Sequence, residues 1–187
     1  MPGDGSNTNR WEVAHHPNAG FLAWLMTAER FHLETIQANA WAAWLTDSGR
    51  GATGVNKIYS SQTRARAWRF RTIASAAAVS PDGDPLKAEY RASAWANLNW
   101  WKVNLVDTNT PPTGLGATYA DLEPGQTGMQ VSLFEHLFLA ASVGWAWDVE
   151  LGLPASQRPT FAQVRAHFEL VPVGLSGRGL AFSEYCF

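Results

Sequence analysis

Residues 62–71 read Gln-Thr-Arg-Ala-Arg-Ala-Trp-Arg-Phe-Arg and run on through an alanine-rich segment to Val79. No other stretch constrains the fold as tightly. At about 100° per residue it has two distinct faces. Phe70, Ile73, Ala74 and Ala77 fall at i, i+3, i+4 and i+7, an apolar stripe suited to packing on a neighbouring helix. Nearly opposite stand Arg64, Trp68, Arg71 and Ser75, spaced i, i+4, i+7 and i+11. A face built from two guanidiniums around an indole can be solvated. It can equally grip a planar anion or a sugar.

The flanking sequence supplies more helices and their stops. Asn18 after Pro17 is a candidate N-cap for a short helix through Phe21, Leu22, Leu25 and Met26. Residues 27–30 interrupt it, and a second helix follows from about residue 31 to 45, closed by Asp47-Ser48-Gly49-Arg50-Gly51. Ser60 or Ser61 opens the Arg/Trp helix, which stops at Ser80-Pro81-Asp82-Gly83. Asp84 as cap and Pro85 at the first helical position start a fourth helix, expected to run past Trp100 and Trp101 to about Val106. Residues 107–125 are rich in Thr, Pro and Gly and form the best candidate for a functional loop. The fifth helix, about 126–147, is apolar nearly all round and is expected to be buried on most sides. Thr160 is read as the cap of a short sixth helix through Phe161, Val164, Phe168 and Leu170.

No segment sustains β alternation, so the class is all-α, organised as antiparallel helical hairpins. The chain divides into a flexible lead-in at 1–13, a helical-hairpin domain at 14–170 and an irregular tail at 171–187. Its 187 residues suffice for a sizeable core. A net charge of −2, with no basic block, argues against nucleic acid as a partner. The longest apolar run, 131–147, is broken by Ser132, Glu135, His136 and Ser142, which argues against a membrane span. The N-terminus lacks an apolar signal core, and Cys186 is the single cysteine, so a cytoplasmic location is the default expectation.

Ten tryptophans set the chain apart, and their company matters more than their number. Glu34, Gln37, Trp41 and Trp44 share a narrow arc of the second helix. Arg64, Trp68 and Arg71 do so on the third, and Tyr90, Asn97, Trp100, Trp101 and Asn104 on the fourth. An aliphatic core stripe would carry few polar atoms. Indoles beside amides and carboxylates suit a pocket for a polar ligand with apolar faces, such as a sugar ring. They also suit helix–helix seams in which each indole N–H finds a nearby Asn, Gln or Glu.

Glu135-His136 lies inside the most apolar helix, where the two side chains must be paired or open onto a cavity. They are a candidate acid–base pair or a satisfied core pair. His15, next to His16, is a second candidate base, and Tyr59 beside the Arg face a candidate phenolic acid or base. No metal spacing, P-loop, dinucleotide fingerprint or Gly-x-Ser-x-Gly is present, so no metal and no cofactor is expected.

Three features resemble (α/α) toroid proteins, the group that holds six-hairpin glycosidases and several polysaccharide lyases. One is His15-His16-Pro17 leading into Phe21-Leu22-Ala23-Trp24-Leu25. Another is the turn Thr27-Ala28-Glu29 before Arg30-Phe31-His32-Leu33-Glu34, with Ala28 where such turns carry glycine. The third is the segment from Gln62 to Thr72 together with Ser80-Pro81-Asp82-Gly83-Asp84-Pro85-Leu86-Lys87, which is similar to a bacterial branch with toroid-like helical repeats. The resemblance spans about residues 14–150. It implies an open or partial toroid, since three hairpins are visible where closure takes five to seven, completed by self-association or by a missing remainder. It also implies a carbohydrate partner. Arg64 and Arg71 would then bind a uronate carboxylate, while Trp68, Trp41 and Trp101 stack on sugar faces beside Glu34 and Asn97. Tyr59, His15 or Glu135 would move the proton in cleavage of a glycosidic bond. The other expectation is a non-catalytic helical-repeat module for binding or structure.

Overall fold

The computed structural model describes residues 18–45, 58, 63–107 and 133–177, and every regular element among them is helical. Helices α1 (Phe21–Thr27) and α2 (Arg30–Leu45) come first, followed by α3 (Thr63–Val79) and α4 (Pro85–Trp101). A wider π turn, Lys102–Val106, extends α4. Helix α5 (Leu133–Asp148), a 3-10 turn (Ala155–Gln157) and α6 (Arg158–Gly177) complete the set. Consecutive helices pack in pairs, α1 on α2, α3 on α4 and α5 on α6. Helix α3 stands at the centre, touching α2, α4 and α5.

The ends of these helices follow local chemistry. Gly20 precedes α1 with φ 87, and a Cβ there would lie 2.8 Å from the His32 carbonyl oxygen, so only glycine fits the entry. Asn18 is therefore not the N-cap; its Nδ2 instead donates to Ser75 Oγ at 3.1 Å. The interruption read at residues 27–30 is present but shorter, Ala28 and Glu29 alone, with Thr27 ending α1 and Arg30 starting α2. Ala28 turns into the left-handed region (φ 52) and donates its N–H to the Trp24 carbonyl, while Thr27 Oγ1 accepts from the Glu29 N–H. Asp84 caps α4 by accepting from the Leu86 N–H at 2.9 Å, with Pro85 behind it. Its other oxygen accepts from Gln37 Nε2 at 2.7 Å, which pins the start of α4 to α2. In the π turn the Asp107 N–H reaches the Lys102 carbonyl, and the same five-residue spacing joins the two side chains in an ion pair.

One further expectation needs correcting. The sixth helix is not short. It begins at Arg158, with Pro159 in a first turn that suits its fixed φ, and runs past Pro172 and Gly174 to Gly177. Buried Phe161, Val164 and Phe168 form its packed seam, and tertiary packing outweighs the weak propensity of the two breakers. Helix α3 is more enclosed than α5. Helix α5 leaves Leu137 at 40% exposure, with Ala141 and Asp148 also exposed. Along α3 the alanines let neighbours approach from several sides, and Phe70, Ile73, Ala74 and Ala77 are fully buried as the stripe requires. Even Arg66 and Arg69 are 3% and 5% exposed, and neither lacks a partner. Residues 126–132 of the expected fifth helix, the loop beyond Asp107 and the last ten residues lie outside the described residues.

Candidate functional site: the depression between α1, α3 and α5

The polar face of α3 looks toward α1 and α5. Trp68 packs on Phe138 of α5, ring centroids 4.7 Å apart, and one turn on the Arg71 guanidinium lies 4.3 Å from the centre of the Trp68 ring. That distance is a cation–π contact, which helps to hold the guanidinium in place over the indole. A turn further along, the buried Ser75 hydroxyl donates to the Arg71 carbonyl. It accepts from Asn18 Nδ2 at 3.1 Å and from Trp145 Nε1 at 3.2 Å, tying the entry of α1 and the end of α5 to the same point. Phe21 meets Trp145 edge-on at 5.0 Å.

Between these groups lies an open depression of about 300 Å³, lined by Asn18, Phe21, Leu22, Arg71 and Trp145. Its walls are aromatic and aliphatic, with one amide and one cation. Partial burial pulls the Arg71 guanidinium below its ordinary pKa, the mark of a cation that has lost hydration. Such a cation gains more from an incoming anion than a fully hydrated one does.

The other anticipated site residues go elsewhere. Glu135 Oε2 accepts from the Arg64 N–H at 3.2 Å, placing its carboxylate at the positive end of α3. His136 is 1% exposed and turned into the core, edge-on to Phe168, which His167 also meets edge-on. Burial, with His167 nearby, pushes the His136 pKa down to about 4. Glu34 is exposed and pairs with Arg30 one turn away at 2.7 Å. Trp41 meets Trp44 edge-on, and Trp44 stacks on Tyr90 at 5.4 Å while its Nε1 donates to Ser93 Oγ at 2.9 Å. Asn97 is buried, accepting from the Ile58 N–H and donating to the Ser93 carbonyl. Trp101 is wedged between Phe70 and Phe168. Burial and the Asp84 charge push the Tyr90 phenol up to about 12, so it is a neutral core group. His15, His16 and Tyr59 lie outside the described residues.

Of the three polar–Trp stripes, then, the one on α3 borders an open site. Those of α2 and α4 supply Trp44, Tyr90, Asn97 and Trp101 to seams. Reading the sequence missed Asn18 and Trp145 as site residues. The signal for Trp145 was its i+7 spacing from Phe138, the residue that packs on Trp68. Among the described residues no three metal-binding side chains gather, and no helix is long and apolar enough to cross a membrane. No family model matches the chain, and neither a curated protein nor a solved structure shows significant similarity to it.

Proposed function

We propose that this chain is a non-catalytic carbohydrate-binding helical domain, and that it holds an acidic sugar in the depression between α1, α3 and α5. The observation that carries this reading is the Arg71 guanidinium, held 4.3 Å over Trp68 and lining the same hollow as Asn18 and Trp145. A uronate carboxylate would bind the guanidinium, the Asn18 amide would take a hydroxyl, and the apolar ring face would lie on Phe21, Leu22 and Trp145. The volume sits at the small end of ligand sites, about 300–1,000 Å³, which favours a single sugar ring over a long chain. The scaffold in this reading is an arc of an (α/α) toroid, with the packed pairs α1–α2, α3–α4 and α5–α6 as its hairpins. Glu135 favours binding over cleavage, because its carboxylate serves the α3 backbone.

Calorimetric titration of the full chain with glucuronate- and galacturonate-bearing oligosaccharides, and with their neutral counterparts, tests the assignment. The acidic sugars should bind and the neutral ones should not. Arg71→Ala should weaken binding at least tenfold with an unchanged circular-dichroism spectrum. Equal binding of neutral sugars would overturn the role of Arg71, and shortening of the glycan on incubation would restore the enzymatic reading. The exposed Leu25, Met26 and Phe31 of the α1–α2 pair favour a second reading, a module that self-associates. A silent titration together with a dimer in sedimentation would select it.

A further inference from the structure

A second cavity, remote in sequence from α1 and α3, lies where α5 turns into α6. It measures about 100 Å³. Leu151, Leu153 and Phe161, each under 10% exposed, form its apolar floor, and Trp147 meets Phe161 edge-on at 5.2 Å to make a corner. The turn that shapes it passes through two left-handed residues, Glu150 (φ 50) and Gly152 (φ 65). Arg91 of α4 braces it, donating from Nε to the Leu151 carbonyl at 2.9 Å. The left-handed φ of 65 favours glycine at 152, and a Cβ there would come within 2.4 Å of Arg91 Nη2 and push that side chain aside.

Two opposite charges, Glu150 and Arg158, line this one small cavity. Among the described residues neither enters an ion pair, with the other or with any third group. Arg158 shares a face of α6 with Phe161 and Arg165, at i, i+3 and i+7, and Arg165 stands 5.5 Å over the Trp147 ring in a pair with Glu169. Arg165 thereby covers the indole and is itself neutralised. Glu150 and Arg158 are left as the cavity's acceptor and donor. An acceptor and a donor of full charge above an apolar floor are complementary to a molecule that carries an ammonium, a carboxylate and a hydrocarbon group on one carbon. At about 100 Å³ the hollow is well below the usual size of ligand sites, about 300–1,000 Å³, which favours a small aliphatic side chain over an aromatic one.

We propose that this cavity binds a free α-amino acid with a small branched aliphatic side chain. Its carboxylate meets the Arg158 guanidinium, its ammonium meets Glu150 beside Trp147, and its side chain rests on Leu151, Leu153 and Phe161. The site is independent of the glycan assignment and shares no residue with it.

Calorimetry on the full chain with L-valine is the direct test, alongside valinamide, which lacks the carboxylate, N-acetylvaline, which lacks the ammonium, and L-phenylalanine, which exceeds the hollow. Valine should bind, and each of the other three should bind about tenfold or more weakly. Glu150→Gln and Arg158→Gln, both at exposed positions, should keep the melting temperature and lose valine affinity to a similar degree. Arg71→Ala should leave valine binding unchanged, so this result and the glycan result can fail separately. No heat from valine at millimolar concentration would overturn the proposal. So would equal binding of N-acetylvaline or valinamide, or normal binding by both charge-neutral variants.

Discussion

Two regions of this molecule are built from the same kinds of residue and end in opposite conditions. On the α2–α4 side, Trp44 stacks on Tyr90, its N–H is taken by Ser93, and Asn97 bonds the Ile58 backbone. The aromatic chain continues from Phe70 through Trp101 and Phe168 to His136. On the α1–α3–α5 side, Trp68, Arg71, Ser75 and Trp145 make contacts of the same types around an open hollow. A tryptophan beside a hydrogen-bonding residue is therefore neutral between seam and site. What separates them is the length of the element lying across the stripe. Helices α2 and α4, of 16 and 17 residues, seal the first region. The seven residues of α1 cover only part of the second.

This contrast can be broken by measurement. The largest effect should come from Trp44→Ala, which empties a sealed seam and removes the indole N–H that donates to the Ser93 hydroxyl. Urea denaturation should show a loss of about 3–5 kcal/mol. A loss under about 1 kcal/mol would mean that the seam is not sealed. Acid should act next. His136 titrates at about 4 in the folded chain, below the ordinary value of 6.5, so the unfolded chain binds its proton first. The stability tied to neutral His136 is fully present above about pH 6.5 and is lost as the pH falls toward 4, by roughly 3 kcal/mol in all. Burial lowers His167 too, which adds a loss of the same sign. Melting temperature followed across this range should fall steeply, and His136→Leu should flatten the profile. The smallest effect belongs to the open side. Arg71→Ala should change stability by about 1 kcal/mol or less, since it removes one cation–π contact at a half-buried position. If it destabilises the fold as much as Trp44→Ala does, the hollow is a core defect and not a site.

The same contrast explains what could be read from the chain in advance. Local chemistry was legible wherever one residue type has one use. Asp84-Pro85 marked the start of α4, and the apolar spacing of Phe70, Ile73, Ala74 and Ala77 marked the buried face of α3. The break at Ala28-Glu29 was also visible, although Ala28 holds a conformation better suited to glycine. Helix α6 was underestimated because Pro172 and Gly174 speak locally while Phe161, Val164 and Phe168 act through tertiary packing. The site was half legible. Periodicity put Trp68, Arg71 and Ser75 on one face, but it does not say which partner lies opposite. That is why Trp101 and Asn97 looked equivalent to them. Asn18 was misassigned for a related reason: a residue suited to capping its own helix instead bonds a serine 57 positions away.

The carboxylate of Glu135 at the start of α3 bears on how the chain is assembled in time. Helix α3 carries Arg64, Arg66, Arg69 and Arg71 toward its positive end, an arrangement that opposes the peptide dipoles. The carboxylate that meets the Arg64 N–H comes from a residue 71 positions later. During synthesis the central helix therefore emerges before that carboxylate exists, and this contact to its first turn can form only once α5 has been made and has docked. The helix at the middle of the finished fold thus takes a contact at its start from the second half of the chain.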